Sequence, residues 1–475
     1  MRKQRPVRRA AVFPRLSAGL SALEGKPKIE ALQVENAPVQ NTAPRVYLET
    51  YGCQMNVADS QLIGSILSRA GFAQTESAEE ADVILLNTCA IREHAEQRVL
   101  GRLSVLAGLK RRRPSVRLGL LGCMAQHLRA GLNEKAPFVD LVAGPDSYRR
   151  LPELINRSRF DPAVDLRLDR TETYAEVTPV HAGGVRDYVT VMRGCDKFCA
   201  FCVVPYVRGR ERSVAPENVV RQVEELAAAG AREIVLLGQT VNAYRFGGSD
   251  FGALLRIVAQ VEGVERIRFT SPHPADMSAS VIAAMAAEPK VQPHLHLPVQ
   301  SGSDRVLAAM NRGYTAAEYL RLVERLRAAI PGLALSTDVI VGFHGEEERD
   351  FDETLALMRE VRFDSAFTFA YSVRRNTRAY GLGDTVSEHD KSRRLAQLIA
   401  LQEEISLERN HELIGSAFPV LVEGPAPRGG AMLLGRTPHF KTVIFPSDGA
   451  VSQGATVRVR IQSATAHSLK GVLER

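Results

Sequence analysis

Long apolar runs are missing from this chain. No stretch approaches the roughly 18 consecutive apolar residues that a membrane-spanning helix needs, so no membrane partner is expected. Cysteine is scarce, with six in 475 residues. That is too few for a disulfide scaffold in so long a chain, and it leaves the thiols free to hold metal. There is no internal repeat and no low-complexity tract, which leaves the composition of an ordinary globular protein with room for about three domains. Acid is absent from the first 23 residues, where Arg2, Lys3, Arg5, Arg8, Arg9 and Arg15 stand. Such a start reads as an organellar transit peptide, a disordered basic arm, or an upstream start codon wrongly chosen. It has no apolar core of the secretory type, which speaks against export and for a cytoplasmic protein. With Pro6, Pro14, Pro27 and Pro38 in it, residues 1–43 are expected to be a disordered basic extension. The formal net charge of +7 suits an anionic partner such as nucleic acid, although a basic surface kept for solubility gives the same number.

What is present begins at residue 45, where strand, loop and helix alternate. "RVYLET", "ADVILLNT", "VRLGLLG" and "VDLVAG" read as short parallel strands. A helix after the first carries Leu62, Ile63, Ile66 and Leu67 on one face. The pattern predicts an α/β chain opening with a doubly wound domain over 44–165. Residues 161–184 read as a connector. A second alternation follows over 180–412, with strands at 187–192, 233–237, 265–269, 294–297, 334–341 and 365–371, and helices at 216–229, 316–330 and 347–361. Six units fit a partial (β/α)6 barrel. A long charged helix over 388–413 closes it. The tail, 413–475, reads as a small all-β barrel made basic by Arg428, Arg436, Lys441, Arg458, Arg460 and Lys470. That is a common RNA-binding shape, and equally the charge pattern of a merely solvated surface.

The cysteines fall into two trios. Cys53, Cys89 and Cys123 each stand just past the carboxyl end of a different strand, the edge where open α/β sheets bind ligands. One alone would read as a buried core thiol; three equivalent positions point to one crevice. Cys195, Cys199 and Cys202 share one loop, "GCDKFCAFC", directly after the first barrel strand. Thiolates select zinc or iron–sulfur clusters. Three cysteines without a fourth can hold three irons of a [4Fe–4S] cluster and leave one iron open for chemistry. Zinc with a histidine as fourth ligand, or an electron-transfer cluster, satisfies the same spacing.

CxxxCxxC with Phe201 before its last cysteine, after the first strand of a six-unit barrel, resembles the radical S-adenosylmethionine superfamily. "YGCQMNVADS", "NTCAIREHAEQRV" and "LGCMAQ" narrow the resemblance to the methylthiotransferases, and "EGP" with "GRT" resembles the TRAM domain, an RNA-binding unit. The resemblance implies two [4Fe–4S] clusters. The cluster on Cys195, Cys199 and Cys202 would take S-adenosylmethionine at its open iron and yield a 5′-deoxyadenosyl radical. The auxiliary cluster on Cys53, Cys89 and Cys123 would carry the sulfur to be inserted. Two S-adenosylmethionine molecules per turnover follow, one for the methyl group and one for the radical. "CAIREHAEQRV", "GCDKFCAFCVVPYVRGRERS" and "LGQTVNAY" look like the branch acting on isopentenylated adenosine beside the tRNA anticodon. Sister branches act on threonylcarbamoyl adenosine or on a ribosomal-protein aspartate. A non-catalytic, metal-stabilised RNA-binding protein is the reading from another class.

Further positions carry over from the same resemblance. Phe201, Gly238, Gln239, Gln300, Ser301, Ile340 and Gly342 would line the S-adenosylmethionine site, although Gly and Ser also end strands as plain turn residues. Arg208, Arg210, Arg212, Arg436 and Lys441 are candidates for RNA phosphate. The other implied partners are a one-electron donor of flavodoxin or ferredoxin type and a sulfur source, acting on a monomer. The chain departs from the family at His344, where proline is common, and at Asn376 and Arg378, where the sixth-strand loop often has proline and glycine.

Overall fold

Three layers of architecture follow one another along the chain in a computed structural model, which describes residues 43–89, 93–128, 131–181, 183–427, 430–447 and 449–474. All but the last residue of the expected basic extension, and Arg428, lie outside the described residues. From Ala43 onward the chain forms one compact unit.

The first layer is a parallel sheet of β1 (Arg45–Tyr51), β2 (Ala73–Gln74), β3 (Val83–Thr88), β4 (Arg117–Gly122), β5 (Leu141–Ala143) and β6 (Ala163–Asp165) in the order 2-1-3-4-5-6. The reversal at β1/β3 is the topological switch point of a doubly wound domain. Helix α1 (Gln54–Arg69) packs Leu62, Ile63, Ile66 and Leu67 into one apolar layer, while α2 (Glu93–Arg112) covers the other face with Val99, Leu103 and Leu106. Every residue of β3 is buried, as expected of a strand covered on both sides. β6 lies inside the segment read as a connector. It is only three residues long, "AVD", too short for any alternation to show; pairing with β5 makes it a strand.

The second layer begins at β7 (Arg186–Thr190), followed by a two-residue pair, β8 (Met192–Arg193) with β9 (Arg212–Ser213). β10 (Glu233–Leu237), a small hairpin of β11 (Arg245–Phe246) and β12 (Ser249–Asp250), then β13 (Arg266–Phe269), β14 (His294–His296), β15 (Ala334–Val341) and β16 (Ser365–Ala370) complete it. β7, β10 and β13 pair in parallel, as do β14, β15 and β16, and a bridge from Ile267 to Val291 joins the two sets. Among the described residues β7 and β16 do not pair. The barrel is therefore partial and open at one side. Outward residues such as Ile234, Leu236, Ile267, Leu295, Leu335 and Val339 meet the helices in one large core. Besides the short helix Val204–Arg208, three helices of this layer went unread in the sequence: Phe251–Ala259, Ala279–Ala287 and Asp304–Ala309. The middle one is alanine-rich and apolar nearly throughout, so it carries little periodicity to see.

Helix Glu388–His411 leads into the third layer, a closed barrel of β17 (Ala417–Pro425), β18 (Met432–Arg436), β19 (Thr442–Pro446), β20 (Thr456–Ala464) and β21 (Leu469–Leu473). It seats on the amino-terminal end of the larger barrel. Arg266 donates to the Arg436 and Pro419 carbonyls at 2.7 and 2.9 Å, and Arg268 to those of Pro438 and Thr437 at 2.9 and 3.1 Å. The Phe440 ring sits among the Arg186, Arg268 and Arg436 guanidiniums, 5.1, 4.7 and 4.5 Å from its centroid.

Candidate functional site

The crevice of the first domain is made by α1 and three strand ends. Cys53 caps α1: its amide and its thiol both reach Asn56 Oδ1 at 3.4 Å. Asn56 in turn donates to Asn87 Oδ1 at 3.3 Å, and Asn87 donates back to the Asn56 carbonyl at 2.8 Å. These amides tie the β1 and β3 ends together. Gly52, at φ +135°, lets the Cys53 and Cys89 loops touch, since a Cβ there would collide with the Cys89 Cβ. Cys53 is exposed, and Cys89 and Cys123 are buried. A hydrogen bond with Cys89 foremost, and the Arg208 charge, bring the Cys53 thiol down to about 6. Burial pushes the Cys123 thiol up, with Arg208 opposing it.

The second trio sits on a loop fixed from several sides. Gly194, at φ +80°, lets the chain pass against the Arg210 carbonyl, which a Cβ would strike. Asn311 donates to the Lys197 and Phe198 carbonyls at 3.1 Å, and Ala200 N to the Met310 carbonyl at 2.8 Å. Cys195 Sγ lies 3.0 Å from Thr240 Oγ1, and Arg312 donates to Cys199 Sγ at 3.3 Å. Burial pushes the Cys202 thiol up to about 12 and raises that of Cys195. Thiols held so are poor anions by themselves and become thiolates when a metal's charge offsets the burial. Among the described residues no three such side chains close on one point as ready metal ligands. The fold instead fixes which thiols face one another and which N–H and O–H groups surround them. An all-sulfur set with such donors around it fits a cluster of soft metal. Gly194→Ala is expected to lower iron bound by this trio to less than half of the parent level, measured on a chain lacking the other three cysteines. The replacement puts a Cβ into backbone at a left-handed φ.

The two trios are neighbours. Cys123 packs with Val203 and Val207, and Val203 directly follows Cys202. Met55 and Ala58 of α1 pack on Tyr188, Val235 and Leu237 of the barrel. Arg212 clamps the buried Asp146 of the first domain through both nitrogens at 3.0 and 3.1 Å.

The carried-over positions separate on inspection. Gly238 is packed so that a Cβ would lie 2.6 Å from Met192 Cγ. Gln239 Oε1 accepts from the Gly194 amide, while its Nε2 is buried without a hydrogen-bond partner among the described residues. Gln300 is buried at φ +77°, its Oε1 likewise without a partner among the described residues. These two amides are spare polar groups of the kind a bound polar cofactor satisfies. Ser301 is occupied instead, by Thr354 at 3.3 Å and the Ser303 amide at 3.2 Å. Phe201 and Ile340 are half-buried in one apolar cluster with Phe343 and Tyr371. Gly342 lies against the Lys391 side chain, and its amide donates to Glu346 at 2.7 Å.

The RNA candidates need correction. Arg208 and Arg212 are buried and paired inside the chain, so of that group only Arg210 reaches the surface, where it pairs with Asp196 at 2.6 Å. Arg436 and Lys441 are drawn into the seat of the small barrel, Lys441 pairing with Asp364 at 2.8 Å. Burial lowers the Lys441 ammonium despite that partner. The basic side chains that do face solvent there are Arg458, Arg460 and Lys470. The departures at His344 and Asn376 are accommodated. His344 Nδ1 lies 3.3 Å from the Gly383 carbonyl, and Asn376 takes φ +64°, a conformation asparagine tolerates nearly as glycine does. Sequence reasoning missed Asp59, Asp146, Arg193, Thr240 and Arg312: Asp59 and Arg193 stand within a few residues of a cysteine motif but look like ordinary charges there, and the other three reach the sites only through the fold.

Three family models match: "Radical SAM superfamily" over 189–358, "Uncharacterized protein family UPF0004" over 45–144, and "TRAM domain" over 412–473. Membership of the radical SAM superfamily brings a [4Fe–4S] cluster and S-adenosylmethionine. The fold is similar to a radical S-adenosylmethionine methyltransferase from Kitasatospora setae solved with cobalamin and a [4Fe-4S] cluster bound. That match has a TM-score of 0.55 at 14% identity, covering 82% of this chain and 80% of that one. Proteins called tRNA-2-methylthio-N(6)-dimethylallyladenosine synthase are similar over nearly the whole length. The one from Chlorobium luteolum is 48% identical over 90% of this chain and 97% of its own. That from Chloroherpeton thalassium is 46% identical over 91% and 96%, and that from Porphyromonas gingivalis 46% over 93% and 98%. With cysteine trios on two adjoining domains, a small β-barrel behind them and this likeness from end to end, the chain belongs to the tRNA-2-methylthio-N(6)-dimethylallyladenosine synthase family.

Proposed function

We propose that this chain is the tRNA methylthiotransferase that inserts sulfur and a methyl group at C2 of N6-isopentenyl adenosine beside the anticodon, in the cytoplasm. The observation that supports the reading is the packing of Cys123 on Val203, next to Cys202, which makes the loops carrying the two trios neighbours. A carbon atom that must meet a hydrogen acceptor and a sulfur donor in turn needs both within reach of one bound base.

In this reading Cys195, Cys199 and Cys202 hold the superfamily's cluster, and Cys53, Cys89 and Cys123 hold a second [4Fe–4S] cluster. Bound there, with two S-adenosylmethionine molecules per turnover, these groups supply the one-electron chemistry at C2, the sulfur and the methyl group. The chain's own residues bind and orient. Gln239 and Gln300 offer their unpartnered amide atoms to S-adenosylmethionine. Arg312 and Thr240 steady the Cys199 and Cys195 sulfurs. The base is unstacked from the anticodon loop at small cost, and Arg458, Arg460, Lys470 and Arg210 meet RNA phosphate, giving salt-sensitive affinity. A flavodoxin- or ferredoxin-type donor provides electrons, and a separate sulfur source restores the second cluster.

The test is mass spectrometry of tRNA nucleosides from a host lacking its own methylthiolation enzyme, with and without this gene. The 2-methylthio form of isopentenyl adenosine is expected only with the gene. The 2-methylthio form of threonylcarbamoyl adenosine appearing in its place would move the chain to the sister branch.

A further inference from the structure

The barrel inserts a guanidinium into the cysteine crevice of the other domain. Arg208 ends the short helix Val204–Arg208, on the loop that carries the second trio. Its Nε donates to Cys123 Sγ at 3.1 Å and its Nη2 to Asp59 Oδ2 at 2.8 Å. Asp59 Oδ1 accepts from Arg193 at 3.0 Å, and the Tyr148 hydroxyl donates to Oδ2 at 3.3 Å. Asp59 is fully buried, and Arg193 and Arg208 are 2% and 3% exposed. One carboxylate thus faces two buried guanidiniums, and the local balance is positive. Arg208 Nη1 has no hydrogen-bond partner among the described residues. A buried cationic N–H left open is costly, so native sites provide an acceptor.

A simple brace between domains would need only the Asp59 pair, and the Arg212–Asp146 clamp already supplies one. The contact with sulfur and the open N–H are left over. We infer that Arg208 is a positioning residue for a cluster held by Cys53, Cys89 and Cys123, with Nε fixing the Cys123 sulfur and Nη1 donating to sulfur of the same centre. This rests on the proposal that these cysteines carry the second cluster. A hydrogen-bonded cation beside cluster sulfur favours the reduced, more negative state and so raises the reduction potential. The residue that tunes the sulfur-donating centre thereby belongs to the radical-forming domain, and that centre is completed only when the domains are docked.

The experiment uses the full chain with Cys195, Cys199 and Cys202 all replaced by alanine, reconstituted with iron and sulfide. Redox titration followed by electron paramagnetic resonance then compares Arg208 with Arg208→Lys and Arg208→Gln. A midpoint displaced to more negative potential in Arg208→Gln, with Arg208→Lys between it and the parent, is the expected result. Equal midpoints in all three, with about four irons bound in each, would overturn the inference and leave the second cluster standing. No cluster in the parent would remove the reading beneath it and the inference too. If Arg208→Gln does not fold, Arg208→Lys decides alone. It keeps a charge for Asp59 but loses the in-plane N–H toward Cys123, so an unchanged midpoint there refutes the inference. Loss of a mere brace would lower the melting temperature and leave the midpoint in place.

Discussion

Replacing Cys199 by alanine is expected to abolish formation of the 2-methylthio nucleoside, by more than about a thousandfold, since removing one member of a catalytic unit costs about as much as removing all of it. The reason is in the ligand count. A loop with three thiols and no fourth has no spare ligand, and Cys199 is also the sulfur that Arg312 holds at 3.3 Å. With two thiols left, the buried guanidinium loses one of its three acceptors and the loop can no longer hold a cluster. On the proposed two-cluster reading, iron and sulfide should each fall from about eight to about four per chain, since each [4Fe–4S] cluster carries four. Reductive cleavage of S-adenosylmethionine should disappear with them. The remaining four should vanish only when Cys53, Cys89 or Cys123 is also replaced. Retained cleavage in Cys199→Ala, or zinc in place of iron, would refute the assignment of this trio and favour a structural metal site.

The second large effect lies at the other end of the barrel. Glu233 is fully buried and accepts from Arg186 through one oxygen and from Arg268 through the other, at 2.7 Å. Those arginines also hold the small barrel, Arg186 through Glu423 at 2.6 Å and Arg268 through two carbonyls. Glu233→Ala leaves the buried Arg268 without its counter-charge and Arg186 with Glu423 alone, a loss of about 3–5 kcal/mol. It should appear as a lower melting temperature and as rapid proteolysis between His411 and Ala417, releasing the terminal barrel. Cleavage no faster than in the parent would show that the carbonyl contacts hold the seat without Glu233. The pH dependence has a definite sign. Burial raises the Glu233 carboxyl, but Arg268 and then Arg186 outweigh it, so its folded value lies below the ordinary one. A depressed carboxyl contributes stability that is complete above the unfolded value of about 4.3 and is lost as pH falls through the folded one. The gap between parent and Glu233→Ala should therefore be constant from pH 7 to 5 and close only in more acid solution.

Much of this was legible in the sequence because the signals are local. The two trios, the alternation of apolar strands with amphipathic helices, and the short strands of the tail depend on neighbours within a few residues. β10 and β15 were read to the residue, at 233–237 and 334–341. Where the local signal was weak, reading stopped: β6 is three residues long, and the helix Ala279–Ala287 is apolar nearly all round.

The roles of the arginines belong to tertiary structure. In sequence Arg208, Arg210 and Arg212 are equivalent charges on one loop. In the fold one meets a thiol, one meets solvent and one meets Asp146. Arg436 and Lys441 likewise read as RNA contacts on a basic barrel, and the fold turns them inward to seat it. Sequence by itself singled out the two thiol trios as candidate ligand sets, because metal chemistry demands particular residue types at particular spacings. Only the tertiary structure decided which charges are available to a substrate. A charge's partner is set by what is brought within a few ångströms and by how much water is left there, and both come from parts of the chain that the local sequence does not contain.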